Sequence, residues 1–217
     1  MIRAIVFDFD GLTVDTETAW YQAFSSVLAE RGVHLPLARF LQVVGTDDGP
    51  LHDFFREALG QDCDVKAIED AAAERYREIM MDPRPREGVL DYLEDAAEMG
   101  LKVGMASSSG ASWVGSYLDR LGIGGCFHAV VTREQVQRVK PAPDLYVRAL
   151  ELLQVEPHEA LAFEDSLNGL LAARRAGLRC VVVPNRVTES LPFKGHALRL
   201  SSMGEMSLSQ VISAVGG

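Results

Sequence analysis

At 217 residues, 47% hydrophobic and 24% charged, with a mean hydropathy of +0.05, the chain has the composition of a globular protein able to bury a sizeable core. A formal net charge of −10, with no Lys/Arg run interleaved with aromatics, argues against nucleic acid or an anionic membrane as a partner. Three widely spaced cysteines without a CxxC, Cys63, Cys126 and Cys180, fit small buried hydrophobes in a reducing compartment. The first apolar run stops at Asp8, too short for a signal peptide or a membrane span, so the expected location is cytoplasmic. The length suits one domain, or a core with a smaller inserted one, and is compatible with a monomer.

Ala4-Ile5-Val6-Phe7 reads as a strand buried on both faces. Asp8 and Asp10 follow on alternate residues, so both side chains fall on the same side of the strand's exit. Gly11 turns the chain, and Asp15-Thr16-Glu17 leads into a helix whose apolar positions Trp20, Ala23, Phe24, Val27 and Leu28 recur at helical spacing up to Gly32. Further helices are expected over Leu37–Val44, Pro50–Leu59 and Val65–Met81. This helical block closes at the stiff connector Asp82-Pro83-Arg84-Pro85-Arg86.

Beyond it, helices alternate with strands. The helices are Glu87–Met99, Ala111–Leu121, Asp144–Leu153 and Ser166–Ala176. The strands are Leu101–Ala106, Ala129–Thr132, Ala160–Phe163 and Cys180–Val183. Leu198–Leu200 reads as an edge strand and Leu208–Val215 as a closing helix. Strands separated by helices of this length predict a parallel α/β sheet with right-handed crossovers and helices on both faces. The helical block interrupts this pattern and reads as an insertion. The expected organisation is a Rossmann-like core of residues 1–15 and 84–217 carrying a helical cap of residues 16–83.

Four strand ends carry polar clusters. Asp8 and Asp10 end the first. Ser107-Ser108-Ser109-Gly110 opens a helix after the second, where hydroxyls and free amides suit an anion. Lys140 sits in Val139-Lys140-Pro141-Ala142-Pro143-Asp144 after the third, and Glu164-Asp165 follow the fourth. Any one of these could be an ordinary helix cap or a solvated charge. Together, at the edge of an α/β sheet where ligands collect, they are the parts for metal-assisted phosphoryl transfer. The acids would bind Mg²⁺, Lys and Ser would neutralise phosphate oxygens, and one Asp could attack phosphorus to form an aspartyl phosphate.

On Asp8-Phe9-Asp10-Gly11-Leu12-Thr13-Val14-Asp15-Thr16-Glu17, Ala106-Ser107-Ser108-Ser109, Val139-Lys140-Pro141-Ala142-Pro143-Asp144 and Phe163-Glu164-Asp165-Ser166-Leu167-Asn168-Gly169, the chain resembles the haloacid dehalogenase superfamily, in its β-phosphoglucomutase-like branch. The resemblance implies Asp8 as nucleophile and Asp10 as general acid/base, which also lends its backbone carbonyl to Mg²⁺. It implies Ser107, Ser108 and Lys140 as phosphate ligands, and Glu164 and Asp165 as completing the metal site. Thr16 would lie at the hinge, and Gly45 and Thr46 on the cap loop facing a small phosphate ester. Two departures separate the chain from the mutases of that branch. Trp20 stands where they carry a gating His, and the loop Val44-Gly45-Thr46-Asp47-Asp48-Gly49 lacks a nearby Arg for a second phosphate, Arg39 and Arg56 flanking it at a distance. A phosphatase acting on a sugar or polyol monophosphate is therefore expected, with a sugar-phosphate mutase as the alternative. Asp10 argues against dehalogenation, and Lys66, the lone lysine of the block, against a Schiff-base phosphonatase. A signalling receiver would place its phosphorylated Asp after the third strand, and a catalytically dead binding module would not keep every site residue.

Overall fold

Six parallel strands gather the alternating half of the sequence into one sheet, in a computed structural model that describes residues 1–44 and 49–216. The strands are β1 (Ala4–Phe7), β2 (Lys102–Ala106), β3 (Ala129–Val131), β4 (Ala160–Glu164), β5 (Arg179–Val182) and β6 (Leu198–Arg199), in the order β3-β2-β1-β4-β5-β6. Every neighbouring pair is parallel. Helices α1 (Thr16–Ala29), α2 (Leu37–Phe40), α3 (Gly49–Leu59) and α4 (Val65–Ile79) lie between β1 and β2 in the chain. Helices α5 (Val89–Glu98), α6 (Ala111–Leu121), α7 (Asp144–Leu153), α8 (Leu167–Arg175) and α9 (Leu208–Val215) follow.

Period-two alternation splits the core in two. Ile5 and Phe7 point into a cluster with Met105, Leu161 and Phe163, which α5, α6 and α9 cover through Tyr92, Val114 and Val211. Ala4 and Val6 point the other way, into a cluster with Ala160 and Ala162 that α7 and α8 cover through Tyr146, Ala149 and Leu170. β1 is thus fully buried on both faces, and each large side chain so placed contributes about 1.5–3 kcal/mol. The helical block joins the first cluster through Ala23, Val27, Phe55 and Ala72, and an aromatic layer of Tyr21, Phe24, Phe40 and Phe55 links its helices.

The predicted elements recur within a residue or two, with one larger difference. The helix expected over Leu37–Val44 stops at Phe40. Gln42 and Val43 donate to carbonyls three residues back, Arg39 and Phe40, in tightened turns. No side chain caps the start of α2 at Pro36, and the β-branched pair Val43-Val44 propagates a helix poorly.

Register is what places the site. Phe7 lies level with Met105 on β2 and with Phe163 on β4, so Asp8 emerges beside Glu164 and close to Ser107. The sheet order reverses direction at β1, with β2 on one side and β4 on the other, and such a switch point opens a crevice beyond the strand ends.

Candidate active site

The crevice holds a buried ionic cluster. Lys140, arriving from the β3–α7 connection, donates from Nζ to Asp8 Oδ1 and pairs with Glu164 Oε1 at 2.7 Å. Glu164 also accepts from the Tyr146 hydroxyl at 2.5 Å. Asp8 is fixed at its backbone, donating from N to Phe163 O at 3.0 Å and accepting at O from Thr13 Oγ1 at 2.6 Å. Asp165 Oδ2 accepts from Asn185 Nδ2 at 2.7 Å, while Asp165 Oδ1 is buried with no hydrogen-bond partner. Asp8, Glu164 and Asp165 each offer an oxygen within 4.8 Å of the others.

Burial dominates the electrostatics. It pushes the Asp8 carboxyl up to about 7, with Glu164 adding to the effect and Lys140 only partly opposing it. Burial, then Asp8 and Glu164, holds Asp165 well above the ordinary carboxylate range. For Lys140 burial opposes the charge, yet Asp8 and Glu164 together raise it above the usual lysine value. Three carboxylates meet one ammonium in a buried site, and one of their oxygens is orphaned. That donor set fits a hard divalent cation.

Two glycines make this packing possible. A Cβ on Gly169, in the first turn of α8, would lie 1.8 Å from Glu164 Oε2. One on Gly11, at φ +80, would lie 2.2 Å from Asp165 Oδ2. Behind them Arg86 donates to the carbonyls of Gly11 (2.6 Å), Val183 (2.8 Å) and Pro184 (2.7 Å), tying the loop after β1 to the loop after β5. Burial lowers its guanidinium from the ordinary arginine value, against the pull of Asp165 and Asp15.

Asp10 takes no side-chain part in the three-carboxylate group. Its Oδ1 accepts from Thr16 Oγ1 at 3.0 Å and from Trp113 Nε1 at 2.9 Å, and its Oδ2 from Ser109 Oγ at 2.5 Å. The serine run is partly occupied with itself and its surroundings. Ser107 is buried and its Oγ accepts from Ser109 N at 3.0 Å, while Glu134 takes the Ala111 N–H at the start of α6 at 3.1 Å. Ser108 and Ser109 are the members that line the cavity.

That cavity, about 970 Å³, opens over Asp8, Asp10, Lys140 and Asp165. On the sheet side its wall also carries Arg133, Ser166 and Asn168. From the helical block come Glu17, Trp20, Phe24, Phe40, Val43, Leu51, Glu69 and Asp70. Trp20 stacks on Tyr76 at 4.1 Å, and Glu69 binds His52 at 2.6 Å. Arg39 is paired with Glu57 and Arg56 with Asp53, both at the surface, and Lys66 with Asp70. Gly45 and Thr46 lie outside the described residues, as do Asp47 and Asp48. The structure thus brings Asp8, Asp10, Thr16, Ser107, Ser108, Lys140, Glu164 and Asp165 to one strand-end crevice. Sequence reading missed Trp113, Tyr146, Asn185 and Arg86.

A family model for haloacid dehalogenase-like hydrolases matches residues 5–183, spanning β1 through β5 and every strand-end cluster. The chain belongs to that family. Within these hydrolases it is 42% identical to Bacillus subtilis YhcW, a presumed phosphatase by its name, over 98% of this chain and 97% of that one. It is 29% identical to Escherichia coli hexitol phosphatase B, over 97% of each chain. Among solved structures, Rhodobacter sphaeroides CbbY in complex with xylulose-(1,5)bisphosphate superposes with a TM-score of 0.76 at 30% identity, covering 96% of this chain and 98% of that one. The same α/β architecture recurs in a β-phosphoglucomutase-like structure from Thermotoga maritima, as the fold class read from the sequence requires.

Proposed function

We propose that this hydrolase is a Mg²⁺-dependent phosphatase that cleaves a small sugar or polyol monophosphate through an aspartyl phosphate on Asp8. The observation that carries the reading is the buried Asp8–Lys140–Glu164–Asp165 cluster, with three carboxylates to one ammonium and an orphaned Asp165 oxygen, at the floor of a cavity. Asp8, Glu164 and Asp165 would hold Mg²⁺, with Asp10 contributing only its main-chain carbonyl. When bound, the ion would supply positive charge to offset the negative charge of the phosphoryl oxygens and let the acids stay ionised.

The remaining chemistry belongs to the chain. Lys140, with Ser107 and Ser108, holds the phosphoryl group. An Asp8 carboxylate oxygen attacks phosphorus, the bond from phosphorus to the ester oxygen breaks, and Asp10 protonates the departing oxygen. Water then attacks phosphorus, Asp10 takes a proton from it, and the bond from phosphorus to Asp8 breaks. Inorganic phosphate and the alcohol are the products. We also assign residues 16–83 as a cap over a core of residues 1–15 and 84–217, with Thr16 at the junction and, by the resemblance alone, Gly45 and Thr46 as substrate residues.

The cavity walls support water over a second sugar phosphate as the acceptor. Among the described lining residues the cations are Lys140 and Arg133, both from the sheet side, while the helical block contributes Glu17, Glu69 and Asp70 with Trp20 and Phe24. Aromatic faces and carboxylates suit the C–H faces and hydroxyls of a neutral polyol, whereas like charges repel a second phosphate by about 1 kcal/mol per unit pair at 4 Å even in bulk water. The names of YhcW and hexitol phosphatase B agree with a phosphatase.

The test is a panel of hexitol, sugar and glycerol monophosphates with xylulose 1,5-bisphosphate and β-glucose 1-phosphate, the last also with catalytic glucose 1,6-bisphosphate. Phosphate release from monophosphates is expected to exceed that from the bisphosphate. Conversion of glucose 1-phosphate to glucose 6-phosphate faster than phosphate release would make the protein a mutase.

A further inference from the structure

Asp10 is held by three donors that differ in kind. Thr16 and Ser109 reach it with hydroxyls, which rotate and can accept as readily as donate. Trp113 reaches Oδ1 with an indole N–H, a group that can only donate. We propose that Trp113 is the positioning residue of Asp10: its N–H keeps Oδ1 an acceptor and leaves Oδ2, beside Ser109, as the oxygen that carries the proton to the leaving group. The inference rests on the phosphatase reading above and assigns a role that neither the family resemblance nor the relatives supply.

The geometry follows from the donor rule. A proton on Oδ1, accepted by the Thr16 hydroxyl, would leave the indole N–H donating to a protonated oxygen, a poorer acceptor than the carbonyl-type oxygen it otherwise meets. A proton on Oδ2 costs nothing comparable, because the Ser109 hydroxyl reverses and accepts it. Asp10 can then alternate between acid and base by rotation of one serine hydroxyl, with its carboxylate plane unchanged.

The indole is itself clamped. Trp113 packs edge-on against Tyr117 at 5.1 Å and tilted against Tyr76 at 5.7 Å, and the two tyrosine hydroxyls share a 2.8 Å hydrogen bond. Tyr76 in turn stacks on Trp20. Trp113 belongs to α6, while Tyr76 and Trp20 belong to α4 and α1. The aromatic stack therefore runs from the helical block to the proton-transfer group.

A pair of esters separates this role from mere packing. With p-nitrophenyl phosphate the leaving group departs without a proton, whereas an alkyl ester such as sorbitol 6-phosphate needs one. The ratio kcat/KM isolates the first phosphoryl transfer. Trp113→Phe, which keeps the ring and loses the donor, is expected to lower kcat/KM about 10–100-fold on the alkyl ester and to leave the aryl ester within about threefold. Equal losses on both esters, or none on either, would overturn the assignment. Wild-type protein inactive on both would overturn the phosphatase reading and this inference with it. Should Trp113→Phe fold poorly, the wild-type indole N–H resonances, two in number because the chain has two tryptophans, give the answer. With Trp20→Phe to assign them, the Trp113 signal is expected to shift in Asp10→Asn, and a signal that stays in place contradicts the hydrogen bond.

Discussion

Asp8 and Asp10 leave the same strand and enter different environments. Asp8 is held against a lysine among carboxylates, and Asp10 among neutral donors. The division predicts unequal mutants. Asp10→Asn retains the shape and loses proton transfer, so kcat on an alkyl phosphate is expected to fall about 10²–10⁴-fold, while phosphoryl transfer from p-nitrophenyl phosphate to Asp8 persists in a burst assay. Loss of that burst would contradict the assignment. Gly169 is the quieter residue of the site. Any Cβ there collides with the Glu164 carboxylate, so Gly169→Ala is expected to weaken Mg²⁺ binding about 10–100-fold by calorimetry, as disturbing the support of a metal ligand does. Unchanged affinity would mean that Glu164 is not a ligand.

At the scale of elements, the site depends on loops being level with one another, and Arg86 does much of that alignment. It ends the proline-bearing connector yet bonds three carbonyls from two strand-end loops. Arg86→Met strands those buried acceptors, and is expected to cost about 2–4 kcal/mol in chemical denaturation. A variant as stable as wild type would show that water replaces the guanidinium. The strands and the strand-end clusters were legible because period-two burial and polar residues just past each apolar run are local signals. Asp8, Lys140 and Glu164-Asp165 could thus be named before their convergence was seen. Arg86, Trp113, Tyr146 and Asn185 were not legible, since each acts on a partner far away in sequence and looks locally like a connector cation, a helix's apolar face or a loop amide. The short α2 differs for another reason: its apolar periodicity continues past Leu41, where the i−4 hydrogen-bond ladder gives way to i−3 turns.

For the whole molecule, the cluster that makes the site also taxes the fold. Asp8 is raised from 3.8 to about 7 by burial and by Glu164, and Asp165 moves in the same direction. Folded and unfolded states are both protonated below the lower value. As pH rises toward 7 the unfolded chain gives up the Asp8 proton first, so stability is lost through that window. Metal-free protein is therefore expected to melt at progressively lower temperature as pH rises from about 4 to about 7, and Mg²⁺ is expected to restore Tm most at the upper end. A melting temperature insensitive to Mg²⁺ at high pH would contradict a metal held by these acids. The central claim is phosphate-ester hydrolysis through Asp8 with a divalent cation, and the measurement closest to it is inorganic phosphate release from a hexitol monophosphate. The account predicts turnover by the wild type in Mg²⁺, none after metal stripping in EDTA, and none from Asp8→Asn. Undiminished release by either the stripped protein or Asp8→Asn would contradict it.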